Sequence, residues 1–199
     1  MTPNLELMRM ARTSLKDKWG LAIGACFVFF ICIVVMTMIP LVGQVASLIL
    51  SGPLALGLAQ FSLGIIRNED VKIEQIFGGF KRFETSLAAY LLVLVFTFLW
   101  MLLLIIPGII ASISYSMTFY IIADNPNISA MDAIDQSKKM MDGYKWKYFR
   151  MSLRFMGWAL LCILTLGIGF FWLFPYMQVT MANFYADVKA GNQSLQTAS

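Results

Sequence analysis

The sequence predicts an all-α, polytopic membrane protein in which six transmembrane helices form three pseudo-repeated hairpins, each preceded by an amphipathic cytoplasmic helix. Three observations carry this expectation. Hydrophobic residues make up 59% of the chain and charged residues 13%, whereas charged residues approach a quarter of a soluble protein. Six apolar blocks, at 19–39, 44–66, 87–106, 108–123, 151–166 and 170–186, are mostly near the ~20 residues that cross a ~30 Å hydrocarbon core. The fifteen Lys and Arg residues all avoid the alternate connections "IPLVG", "IIPGI" and "TLGIG". Basic flanks are retained on the cytoplasmic side, so both termini are expected there.

The elements follow in order. The segment before the first block contains Arg9, Arg12, Lys16 and Lys18. It lacks a charged region set apart from an apolar one, and no small-residue cleavage site follows, so the first span is expected to be retained. Cys26, Cys32 and Cys162 lie inside apolar blocks, where they are expected as buried, inert thiols. The second block sets Pro53, Gly57, Gln60 and Gly64 on one face. Beyond it come Arg67, Lys72, Lys81 and Arg82, with an apolar face of Ile73, Ile76, Phe77 and Phe80. Gly78 and Gly79 weaken or kink that helix. The third block, "LLVLVFTFLWMLLLII", is bulky all round and suits lipid, while the fourth aligns Gly108, Ser112 and Ser116.

After a turn at 124–126, Ser129 is placed to cap a helix, with Asp132 answering the first-turn amides. Ala130, Ala133, Ile134, Ser137 and Met141 then recur on one side of an interfacial helix. Lys145, Trp146, Lys147, Arg150 and Arg154 lead into the fifth block. Cations at headgroup depth and aromatic rings in the interfacial belt make these five the candidate lipid-interface residues. The fourth and fifth blocks are short, which requires a thinned bilayer or outward snorkelling of Arg154. The sixth block aligns Gln178, Ala182 and Ala186, with Thr180 and Asn183 beside them.

The blocks also repeat. Lys16, Lys81 and Lys145 are spaced by 65 and 64 residues, and Gly43, Gly108 and Gly169 by 65 and 61. The expectation is one domain, 1–199, of three units at about 5–70, 71–126 and 127–189. Each unit crosses twice, so the copies share one orientation.

Chemistry is harder to place. The chain has no histidine, which removes the commonest general base and transition-metal ligand. No charged residue falls well inside a block, as intramembrane proton relays would require. Asp132 and Asp135 are close in sequence but sit at a helix start expected to be wet. No catalytic, cofactor-binding or metal-binding residue is therefore expected, and no cofactor or nucleic-acid partner. Small residues let helices approach closely and polar ones bond across the contact, so the even-numbered spans are expected to meet in a central seam. Gln60, Ser112, Ser116, Gln178 and Asn183 are its candidate residues, in either a packed contact or a cavity.

The stretches "YIIADNPNISAMDAIDQSKKMMDGYKWKYF", "RFMGWALLCILTLGIGFFWLFPY" and "ANFYAD", with the leading "ARTSLKDKWGLAI", resemble a bacterial integral membrane family numbered 975 among domains of unknown function. That family is broadly similar to the membrane portion that accompanies some glycerophosphodiester phosphodiesterases, whose chemistry resides in a separate domain. The resemblance implies a multi-pass protein of the bacterial cytoplasmic membrane without assigned catalytic residues. The leading expectation is a non-enzymatic protein that binds or organises an amphipathic partner: membrane lipid, anionic at the cytoplasmic face, a membrane-active peptide, or another membrane protein. The alternative is a small transporter or channel for a neutral or amphipathic solute.

Overall fold

A computed structural model describes residues 2–38, 42–165 and 167–197. The end of the first apolar block at Ile39, part of "IPLVG", and Leu166 of "TLGIG" lie outside the described residues. Among the described residues all regular structure is helical. It comprises α1 (Asn4–Ser14), α2 (Trp19–Thr37), α3 (Val42–Ile66), a 3₁₀ segment (Ile73–Arg82), α4 (Phe83–Leu103), α5 (Ile105–Tyr115), α6 (Thr118–Asp124), α7 (Ala130–Met140), α8 (Lys145–Leu164) and α9 (Phe170–Thr197).

Among the described residues, three stretches are long and apolar enough to cross a membrane: Gly43–Ile66, Ile73–Leu103 and Ile105–Asp124. A fourth is added if α1 and α2, bent by 98°, count as one span. The last two helices fall short for reasons visible in their residues. Lys145, Lys147, Arg150 and Arg154 occupy the first half of α8, and the uncharged run 155–164 rises only about 15 Å at 1.5 Å per residue. Gln178, Asn183 and Asp187 interrupt the apolar run of α9.

Burial divides the molecule into two halves. Nearly every residue of α3 from 52 to 65 is buried, whereas Gln44, Val45, Leu48 and Ile49 are exposed. The exposed apolar side chains continue onto the far halves of α2 and α4, with Val35 59% and Leu103 73% accessible, and onto the end of α8 at Leu164. The helices therefore pack tightly on the side where the cations lie and present hydrocarbon on the other. α1 closes the packed half. It turns Leu7, Met8 and Ala11 inward and packs chiefly on α9, at 98° to α2.

The stripe of small residues on α3 has a partner that sequence spacing does not reveal. A Cβ on Gly57 would overlap the carbonyl of Ile76, and one on Gly79 would overlap the carbonyl of Pro53. Backbone thus meets backbone along α3, and the two glycines make that approach possible. The segment winds as a 3₁₀ helix, with Ile76 and Gly79 buried against α3.

The fourth apolar block is broken between α5 and α6. The break is held from α7, where the fully buried Ser137 donates to the Ser114 carbonyl at 2.7 Å and accepts from Met117 N–H at 3.2 Å. Ser129 caps α7, accepting from Asp132 N–H at 3.2 Å. The helix expected at the interface is docked: Ala133, Ile134, Ser137 and Met140 are buried, because α4, α5 and α6 cover its apolar face.

Candidate functional site

Arg9 and Arg12 of α1 and Lys147, Arg150 and Arg154 of α8 line one cleft. Leu5, Met8, Arg9 and Arg12 recur at three- or four-residue spacing on α1, which places them along one side of the helix. Across from them α8 presents Arg154, Gly157, Trp158, Leu160 and Leu161, and α9 presents Tyr176; together these residues enclose about 690 Å³. A second lobe of about 330 Å³ shares Leu5 and Arg154 with the first and is lined by Thr2, Asn4, Lys147 and Arg150. The lining thus combines arginines from both helices with aliphatic and aromatic side chains.

A polar clamp holds this cleft in shape. Thr2 donates to Asp187 through its backbone N–H at 3.1 Å and its hydroxyl at 2.7 Å, and Lys147 pairs with the other carboxylate oxygen at 2.9 Å. Asn4 Nδ2 donates to the Lys147 carbonyl at 2.9 Å, and the Tyr176 hydroxyl donates to the Met8 carbonyl at 3.1 Å. Asp187 lies just past the apolar block 170–186. Burial pushes its carboxyl pKa upward, but the hydrogen bonds from Lys147 and Thr2 outweigh this and hold it below the ordinary value. Lys147 is consumed by this pair, whereas no described carboxylate lies within ion-pair distance of Arg9, Arg12, Arg150 or Arg154.

A second cavity of about 330 Å³ lies where α2, α3, α8, α9 and the junction of α5 with α6 come together. Ser116, Tyr120, Tyr148 and Gln178 supply its polar groups, among Phe29, Ala55, Phe119 and Phe174. The Tyr120 ring stacks on Tyr185 at 5.6 Å, and its hydroxyl approaches Gln178 at 3.4 to 3.5 Å. Beyond Tyr185, α9 is tied to the ends of α3 and α6. Asp124, at the end of α6, binds Arg67 and Lys189 at 2.5 Å each and accepts from the Tyr185 hydroxyl at 3.0 Å.

The expected residues therefore separate into groups. Of the lipid-interface candidates, Lys147, Arg150 and Arg154 line the α1–α8 cleft. Lys145 lies instead beside Trp100, Pro107 and Lys138, and Trp146 is 65% exposed and stacks on Phe149. Of the seam candidates, Ser116 and Gln178 share the second cavity. Gln60 lies against Gly78 of the 3₁₀ segment, Ser112 is exposed and bonds its own helix at Ile109, and Asn183 is buried. Arg9 and Arg12 were not among the candidates. Their signal is the three-residue spacing that aligns them with Leu5 and Met8.

A family described as "Protein of unknown function (DUF975)" matches residues 1–109 and 93–192. The chain belongs to this family. Its two matched stretches together take in every residue of both the α1–α8 cleft and the central cavity. No curated protein and no solved structure matches.

Proposed function

We propose that this member of the family is a non-enzymatic protein of the bacterial cytoplasmic membrane that binds or organises an amphipathic partner. The observation that carries this reading is the cleft between α1 and α8. Four guanidiniums without acidic partners line the cleft beside an aliphatic and aromatic wall, which matches a molecule with an anionic head and a hydrocarbon body. In this reading the chain makes six crossings as three hairpins of one orientation, with both termini cytoplasmic. Two features support it. The order of elements places an amphipathic or 3₁₀ segment before each helical pair. Arg67, Asp124 and Lys189, at the ends of the second, fourth and sixth apolar blocks, meet at one point. The third pair crosses where Arg154 snorkels and the bilayer is thin.

Native mass spectrometry of protein extracted in mild detergent tests the reading. A bound amphiphile of discrete mass is expected, whereas only the bare protein mass under conditions that preserve fold would sink it.

The central cavity favours a second reading, a path for a neutral or amphipathic solute. It is bordered by the broken α5 and α6, and irregular backbone inside a membrane is found where it is buried or lines a cavity. Gln178→Leu separates the two. A folded, abundant variant that loses transport-linked function supports the path, and one that keeps it supports packing.

A further inference from the structure

We infer that the α1–α8 cleft binds one phospholipid whose headgroup carries two phosphates, with an acyl chain lying along α8. This rests on the reading above and narrows it from an amphiphile to a lipid of defined headgroup charge. Charge is the first argument. Arg9, Arg12, Arg150 and Arg154 line contiguous lobes, and no described carboxylate comes within ion-pair distance of them. A headgroup with one charge leaves most of this cluster mutually repelling, while two phosphates place an anion in each lobe. Arginine suits the task because its planar fork bonds phosphate oxygens in pairs.

Shape is the second argument. The lobes meet at Arg154, which lines both, so one molecule bridging them keeps its phosphates on either side of a shared guanidinium. Below Arg154 the wall is Gly157, Trp158 and Leu161, with Trp158 56% and Leu161 56% accessible. A Cβ built on Gly157 meets nothing within 4 Å. The glycine therefore leaves open space beside the α8 backbone, where a hydrocarbon chain can lie. The third argument is rigidity. The clamp of Thr2, Asn4, Lys147 and Asp187 fixes the α1 end of the cleft, so the arginines are positioned before the ligand arrives.

The test is native mass spectrometry of the full chain in detergent, titrated separately with cardiolipin (two phosphates), phosphatidylglycerol (one) and phosphatidylcholine (zwitterionic). One cardiolipin should bind at least tenfold more tightly than one phosphatidylglycerol, with phosphatidylcholine weaker still. Arg12→Gln and Arg154→Gln should each remove that preference, and Gly157→Leu, which occupies the open space beside α8, should weaken cardiolipin by a similar factor. Equal binding of cardiolipin and phosphatidylglycerol overturns the two-phosphate inference while leaving the amphiphile reading intact. Unchanged binding in folded Gly157→Leu protein overturns the acyl-chain pose, and displacement of cardiolipin by millimolar pyrophosphate overturns the lipid as the natural occupant. Failure of all three lipids to bind overturns the inference and counts against the amphiphile reading as well.

Discussion

The Ser137 hydroxyl belongs to α7 but completes the backbone of another element. It bonds Ser114 O and Met117 N–H at the junction of α5 and α6, groups that a continuous helix would have paired internally. Ser137→Ala removes both bonds at a fully buried position. Each orphaned group costs ~1–3 kcal/mol, so a loss of ~2–6 kcal/mol is expected for the two. Thermal unfolding in detergent checks it, and an unchanged midpoint would show that another group holds the break. Asp187 carries a different prediction. Its folded-state pKa lies below its unfolded one, so its stabilisation is complete above the ordinary Asp value of about 3.9 and is lost as pH falls through the lower folded value. Asp187→Asn should therefore be less stable than the parent by ~2 kcal/mol at pH 7, with the gap closing below about pH 4. A pH series of unfolding midpoints for both proteins measures that gap, and a constant gap would contradict the linkage.

The 3₁₀ segment and α3 show how an element's conformation follows from its neighbour. Ile76 and Gly79 press onto the backbone of α3 at Gly57 and Pro53, a contact in which neither side has a movable side chain to give way. Gly57→Ala and Gly79→Ala are each expected to destabilise by ~3 kcal/mol or more through overpacking. Gly157→Ala, on an open face of α8, should be neutral or slightly stabilising through helix propensity. Comparing the three midpoints isolates the contact, since a uniform response would mean that propensity and not backbone approach decides. α1 is governed in the same way. Its inward face of Leu7, Met8 and Ala11 and its clamp to Asp187 dock it on α8 and α9, where an isolated helix of its length would be marginal in water.

For the molecule as a whole, the packed half gathers α1, the 3₁₀ segment, α7 and the ends of α3 and α6 joined to α9. The other half exposes apolar side chains such as Val35, Leu103 and Leu164. Hydrocarbon has no penalty for such surface, whereas water does, and the cations mark which half faces water. The proposed orientation predicts that single cysteines at the exposed Glu74 and Gln136, in a background without native Cys, resist an impermeant thiol reagent in intact cells. Both should react after permeabilisation. Labelling before permeabilisation would reverse the topology and move the arginine cleft to the opposite leaflet.

Partition between water and hydrocarbon belongs to each residue separately. For that reason the helical class, the apolar blocks, the grouping of cations and the Ser129 cap of α7 were legible in sequence alone. The weakness of the segment around Gly78 and Gly79 was legible too. Contacts between remote segments are different, because period and composition say which face of a helix is apolar or small but not what meets it. Only the tertiary structure decided that the Gly57 stripe receives the 3₁₀ segment, that Gln60 and Ser112 lie apart from Ser116 and Gln178, and that Ser137 closes a broken helix. It also decided that Arg9 and Arg12 stand opposite Arg154. Their charges could be counted in the sequence, but their shared cleft exists because α1 turns 98° from α2 and is pinned to α8 and α9.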